Sequence, residues 1–187
     1  MVLFGRNVAS YKFALANSLL ELGRQGIEAV HLDQLAEPFA RHVCAHLAQV
    51  DRQGTFDHSR FLDACRFFNA GRINADELRT ATVLRGFNNV IDAFHMVGDA
   101  EIPTRFFVDE RQTRTGGIRL TDALFELAAT QAADLAEEVE ARWRLVEEAW
   151  DARANHRQIV VLYDAPRELL IPGISGSAVR SPRSVRP

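Results

Sequence analysis

Between residues 122 and 153 the chain repeats apolar side chains at close to heptad spacing: Leu124, Leu127, Leu135, Val139, Trp143, Val146 and Trp150. That period places all seven on one stripe of a helix. Thr121 or Asp122 provides a cap-type residue where the stripe begins. A helix of roughly 30 residues is about 45 Å long, so it either spans a whole domain or reaches a partner. Trp143 and Trp150 are therefore interface candidates, whether the surface they fill is the chain's own core, a homodimer or a protein partner bound through 122–153.

Shorter helical patterns precede it. Val8, Tyr11, Leu15, Leu19 and Leu22 line one face of a first helix over 7–22, with Asn7 as its N-cap and Gly23 as its C′ residue. Ala29-Val30-His31-Leu32 reads as a short extended piece. A second helix is expected over 33–50, burying Leu35, Phe39, Val43 and Leu47, with Pro38 tolerated near its first turn. Asp57 caps a third over 58–69, with Phe61, Leu62, Cys65 and Phe68 inward. A fourth, over 75–97, carries Leu78, Val83, Phe87, Val90, Ile91, Phe94 and Val97, with Gly86 as a point of kink or break.

Two segments read as β-hairpins. Residues 105–108 and 118–120 flank a turn at 112–117, and Gln158–Tyr163 faces Glu168–Ile171 across Asp164-Ala165-Pro166. The expected fold is mainly α: four to five packed helices, one of them a long C-terminal helix, with two small β-hairpins. Residues 1–171 form a single domain on this reading. Residues 172–187, rich in Gly, Ser, Pro and Arg, form a tail or linker with too little apolar surface to order itself.

Composition narrows the function classes. No window approaches 18 consecutive apolar residues, so no membrane span is expected, and no charged n-region with an apolar run precedes the first helix. The net charge of −3 gives no global argument for a nucleic-acid partner. The only cysteines, Cys44 and Cys65, are too few for a disulfide framework or a zinc knuckle, which fits core thiols in a reducing cytoplasm. No P-loop, dinucleotide glycine fingerprint or GxSxG pattern occurs, and no cofactor or metal is expected.

Three clusters could carry chemistry. His42 and His46 stand at i and i+4, but Val43 occupies the place where a zincin helix has glutamate, so they read as two partly exposed helix histidines. Asn89, Asp92 and His95 form a polar cluster; Asp92 and His95, at i and i+3, are spaced to touch, for acid–base work or for a network tying the helix to the hairpin. Arg105, Arg111, Arg114 and Arg119 bring four positive charges to the first hairpin, beside Thr113, Thr115, Gly116 and Gly117. That composition suits phosphate contact or an exposed hairpin tip. Arg180, Arg183 and Arg186 add a basic tail, whereas the glutamates of 137–148 read as a solvated face.

Leu3–Leu15, Asn89–His95 with Glu101–Phe107, and Glu138–Trp150 together resemble the N-terminal region of a group of bacterial HNH endonuclease proteins. The resemblance runs from residue 3 to about 171. It implies a helical region that precedes a nuclease module and that engages DNA or supports assembly. The ββα-metal segment of such a module, with its His base and His or Asn ligands, has no counterpart in this sequence, so no catalytic residue carries over. The expected function is a non-catalytic DNA-engaging or assembly region, with weak, sequence-nonspecific DNA contact through the arginines. The alternative is a stand-alone bacterial interaction or regulatory protein, for example in phage defence, that binds a protein partner through its long helix. A hydrolase using Asp92 and His95 is a third class.

Overall fold

A computed structural model of the chain describes residues 10–55, 58–154, 159–164 and 169–174. Among these the fold is mainly α, with seven helices and three small antiparallel sheets. Helix α1 (Tyr11–Arg24) runs through the middle and packs against α2 (Leu32–Leu47), α6 (Asp122–Thr130) and α7 (Ala132–Ala154). Its expected stripe is present in Leu15, Leu19 and Leu22, but Phe13, Ala14, Ala16, Ser18 and Gly23 are buried as well. Small residues on the far faces let neighbouring helices approach. A Cβ on Gly23 would stand 3.1 Å from the Ala128 Cβ, so this glycine makes room for α6 and is not the helix stop. The stop comes at Gly26, in the left-handed region at φ 71°, where Gly26 N bonds Gly23 O and Ile27 N bonds Leu22 O. Asn7 and Val8 lie outside the described residues; the N-cap position is Ser10.

Helix α2 is closed at its start by a capping box in which His31 accepts from Asp33 N and Gln34 accepts from His31 N. Pro38 sits inside this helix, past the first turn, and is buried. Its missing N–H removes the bond that would reach the Gln34 carbonyl. Ser59, and not Asp57, caps α3 (Arg60–Asn69), accepting from Leu62 N; Asp57 is outside the described residues. Asn74 and Glu77 form a second capping box on α4 (Ala75–Arg85). The expected helix 75–97 breaks at Gly86. The chain resumes as one turn, α5 (Val90–Ala93), and then a tight hairpin of β2 (Met96–Val97) and β3 (Ala100–Glu101) turned by Gly98 at φ 61°. Phe39 lies at the centre of this half, in ring contact with Tyr11, Phe61 and Phe87.

The long helix of 122–153 is two helices, separated at Gln131 (φ −134°, ψ 9°). Thr130 Oγ1 bonds back to Glu126 O at the end of α6, and Leu135 N is picked up by Gln131 O at the start of α7. The break falls in the gap between Leu127 and Leu135, where only alanines supply the apolar face. It lets each piece pack separately against α1. Trp143 is completely buried and Trp150 is 5% exposed, both within the protomer. Trp143 belongs to the hydrophobic core of the chain itself, and Trp150 is buried near the C-terminal end of α7.

The first hairpin, β4 (Phe107–Glu110) and β5 (Gly117–Leu120), gains a third strand, β1 (Ala29–His31), giving the order β1-β5-β4. The second hairpin pairs β6 (Ile159–Asp164) with β7 (Leu169–Ile174), with Val161 opposite Pro172, so the strand runs beyond the expected boundary at 171. Residues 175–187, with Arg180, Arg183 and Arg186, lie outside the described residues.

At Gly117 the backbone of β1 lies directly against β5. A Cβ there would meet Val30 O at 2.0 Å and His31 Cα at 2.9 Å, both backbone atoms that cannot step aside. Gly117→Ala is therefore expected to destabilise the protein by about 2 kcal/mol or more. Thermal unfolding by circular dichroism checks this; a midpoint within about a degree of wild type would show that the strands do not approach so closely.

Candidate functional site

The hairpin arginines are already engaged by carboxylates. Arg111 donates Nε to Asp109 Oδ1 at 2.9 Å and a terminal nitrogen to Asp109 Oδ2 at 2.8 Å, and it also pairs with Asp92. Arg119 donates Nε to Glu110 Oε1 at 2.8 Å and Nη1 to Glu28 Oε1 at 2.9 Å. Arg105 pairs with Glu101. Strand pairing makes these contacts: Glu110 stands across from Gly117 in β4–β5, and Arg119 stands across from Ala29, next to Glu28. The hydrogen bond from Arg111 holds the Asp109 carboxyl below its usual range, and that from Arg119 does the same for Glu110. Arg114 is exposed in the turn.

The expected Asp92–His95 contact is not formed. An i, i+3 pair needs a continuing helix, and α5 ends at Ala93. Asp92 stays exposed and turns to Arg111; Asn89 is exposed and makes no side-chain cap bond. His95 is buried among Phe94, Phe106 and Phe107, where Nε2 accepts from Phe106 N at 3.0 Å. Burial first, then the charge of Arg105, pull its pKa down to about 4. It is a neutral core histidine that receives an otherwise unpaired backbone N–H. The sole lysine, Lys12, donates to a backbone oxygen, Met96 O, at 3.1 Å.

A polar knot forms elsewhere. His42 and His46, one turn apart, have different surroundings: His42 is half-buried beside Glu21, while His46 is 8% exposed beneath α7. His46 Nδ1 faces Glu147 Oε1 at 2.8 Å and Nε2 faces Glu140 Oε2 at 3.0 Å. Its ring stacks on Trp143, with centroids 3.5 Å apart and planes within 1°. The Trp143 indole donates to Gln53 Oε1 at 3.0 Å. An indole N–H is only a donor, so this bond fixes the amide orientation and turns Gln53 Nε2 toward Val50 O and Glu147. Ser10 N bonds the Gln53 carbonyl, linking the start of α1 to the same point.

A neutral imidazole donates from one nitrogen only, so two carboxylate partners select the doubly protonated ring. Burial pulls the His46 pKa down, and the hydrogen bonds to Glu140 and Glu147 outweigh it, leaving the pKa raised. Contact with His46 holds Glu140 down at about 2, against the opposite effect of burial. Both ring nitrogens are committed, so His46 has none to offer a substrate. A cleft of about 470 Å³ adjoins the knot, and Asp51, Arg52, Glu147, Glu148 and Asp151 are in its walls. Among the described residues no three of His, Cys, Asp and Glu converge as metal ligands. The arrangement serves to join α2, the loop after it and α7.

Sequence reasoning missed this knot because His46 and Glu147 are 101 positions apart. One local signal was there. Glu140, Trp143 and Glu147 are spaced three and four apart, on the helix stripe that holds the tryptophans. A glutamate on that stripe is buried and needs a partner.

No known protein family, curated protein or solved structure matches the chain.

Two outcomes follow from the knot. Trp143→Ala removes a fully buried side chain and leaves Gln53 Oε1 without its donor. A loss of about 3–5 kcal/mol is expected from denaturant titration. The second concerns pH. The folded pKa of His46 lies above its ordinary 6.5, so its contribution to stability is complete below 6.5 and is lost as pH rises through the folded value. That of Glu140 is complete above 4.5 and is lost as pH falls towards about 2. Stability should fall on the alkaline side, and the fall should shrink in His46→Gln. Equal alkaline slopes for the two proteins in melts at stepped pH would refute the assignment.

Proposed function

We propose that this chain is a non-catalytic assembly region of the kind the HNH-endonuclease resemblance implies, acting by protein contact and touching DNA only weakly. One observation favours the assembly half of that expectation. Arg105, Arg111, Arg114 and Arg119 share their surface with five carboxylates, those of Glu28, Asp92, Glu101, Asp109 and Glu110. Four guanidinium groups against five carboxylates leave this surface, the hairpin together with Glu28, Asp92 and Glu101, without net positive charge. A phosphate would have to displace bidentate carboxylates already in place. Arg114 and the tail arginines Arg180, Arg183 and Arg186 supply the weak, nonspecific DNA contact on this reading. The exposed side of α7 carries Glu137 and Glu138, so a partner that lies along this helix meets an acidic surface. The stand-alone interaction protein shares that surface. A nuclease module encoded in the frame downstream favours the assembly region, and an unrelated neighbour favours the stand-alone protein.

The test is fluorescence anisotropy with a short DNA duplex between about 50 and 200 mM salt, the range over which phosphate contacts weaken steeply. Weak binding that vanishes by the higher salt is expected, with Arg111→Ala little changed. Asp109→Asn/Glu110→Gln, which takes one of two carboxylate partners from each of Arg111 and Arg119, should bind more tightly. Strong binding by the wild type that is lost in Arg111→Ala would make the hairpin a DNA surface and overturn the proposal.

A further inference from the structure

We propose that Cys44 and Cys65 form a peroxide-sensitive dithiol that closes into an intramolecular disulfide between α2 and α3. The pair belongs to neither the arginine hairpin nor the His46 knot, and the proposal does not depend on the assembly reading. Cys44 comes from the last turns of α2 and Cys65 from the middle of α3, 21 positions away. Both are free, with Cys44 6% exposed and Cys65 fully buried. The Cys44 thiol points at the backbone of the other cysteine, with Sγ 3.9 Å from the Cys65 carbonyl oxygen, so α2 and α3 bring the two residues into direct contact. Asn69 Nδ2 donates to the Cys44 carbonyl at 2.8 Å, which holds α3 against α2 at this level.

The two thiols are not equivalent. Contact with Cys65 lowers the pKa of Cys44, whereas the same contact, with burial, pushes that of Cys65 up. Cys44 is also the one with some exposure. It therefore supplies the attacking thiolate, and Cys65 waits as a protonated resolving thiol. The oxidant that fits is hydrogen peroxide, because a small neutral molecule reaches an apolar layer that excludes charged or bulky disulfides. The Cys44 thiolate attacks one peroxide oxygen, the O–O bond breaks, and the released hydroxide takes up a proton, leaving a sulfenic acid on Cys44. The Cys65 sulfur then attacks the Cys44 sulfur. The S–O bond breaks, and the departing hydroxide leaves as water with the Cys65 proton. In sum, two thiols and one peroxide give one disulfide and two waters, the sulfurs being oxidised and the peroxide reduced. Thiol reductants reverse the change.

The test uses the reduced full chain, treated with hydrogen peroxide, denatured, alkylated and weighed by mass spectrometry. A monomer that has lost two hydrogens, takes up no alkylating agent and regains both thiols with dithiothreitol is expected. The oxidised protein should melt several degrees higher, because the bond restricts the unfolded chain. In Cys65→Ser, Cys44 should be captured by dimedone as a sulfenic acid; in Cys44→Ser, Cys65 should remain an alkylatable thiol. Wild-type protein that keeps both thiols, or that links only between molecules, overturns the proposal, and so does sulfenylation of Cys65 in Cys44→Ser. Should a variant fail to fold, the mass of the oxidised wild type alone decides whether the disulfide forms.

Discussion

The stack of the His46 ring on Trp143 is the contact on which the rest of the architecture depends. The ring lies between two carboxylates, which favour its protonated form, and the indole below it is tied to Gln53. A buried carboxylate such as Glu147 is costly without partners and acceptable with two. Each member needs the others, so the group fixes one arrangement of α1, α2 and α7. Trp143 also stacks with Phe13, which brings the central helix into the same assembly. The aromatic cluster around Phe39 then organises α3 and α4 on the other side of α2.

Charge on the outer surface follows a different rule. Around the three-stranded sheet, guanidinium and carboxylate groups stand opposite one another on adjacent strands and on the preceding loop, so their fields cancel over short distances. Such exposed pairs contribute little to stability. Their consequence is local neutralisation: Arg105, Arg111 and Arg119 each stand against at least one carboxylate. The same residues read along the sequence suggest a phosphate surface, because the sequence shows the arginines together and leaves Glu28 and Asp92 far away. The hydrolase class loses its basis in the same region, since Asp92 and His95 face different neighbours.

The sequence by itself determined the helical class, the faces that carry Leu15, Phe39, Phe61, Leu124 and Trp143, the break near Gly86, and both hairpins. Those features are written in residues that lie within a turn or two of each other, so periodicity and turn chemistry report them. Tertiary structure decided the rest. It cut the long helix at Gln131, because each half gains more by packing on α1 in its own direction than a continuous helix would through a seam filled only by alanines. It drew Val30 against Gly117 and made a hairpin into a sheet, a pairing that no local signal announces. It placed His46 beneath Glu140 and Glu147, moved His95 into an apolar pocket, and paired Arg111 with Asp92 and Arg119 with Glu28. Each of these depends on groups distant in the sequence, and only the packed chain specifies which charge, which proton and which void each side chain meets.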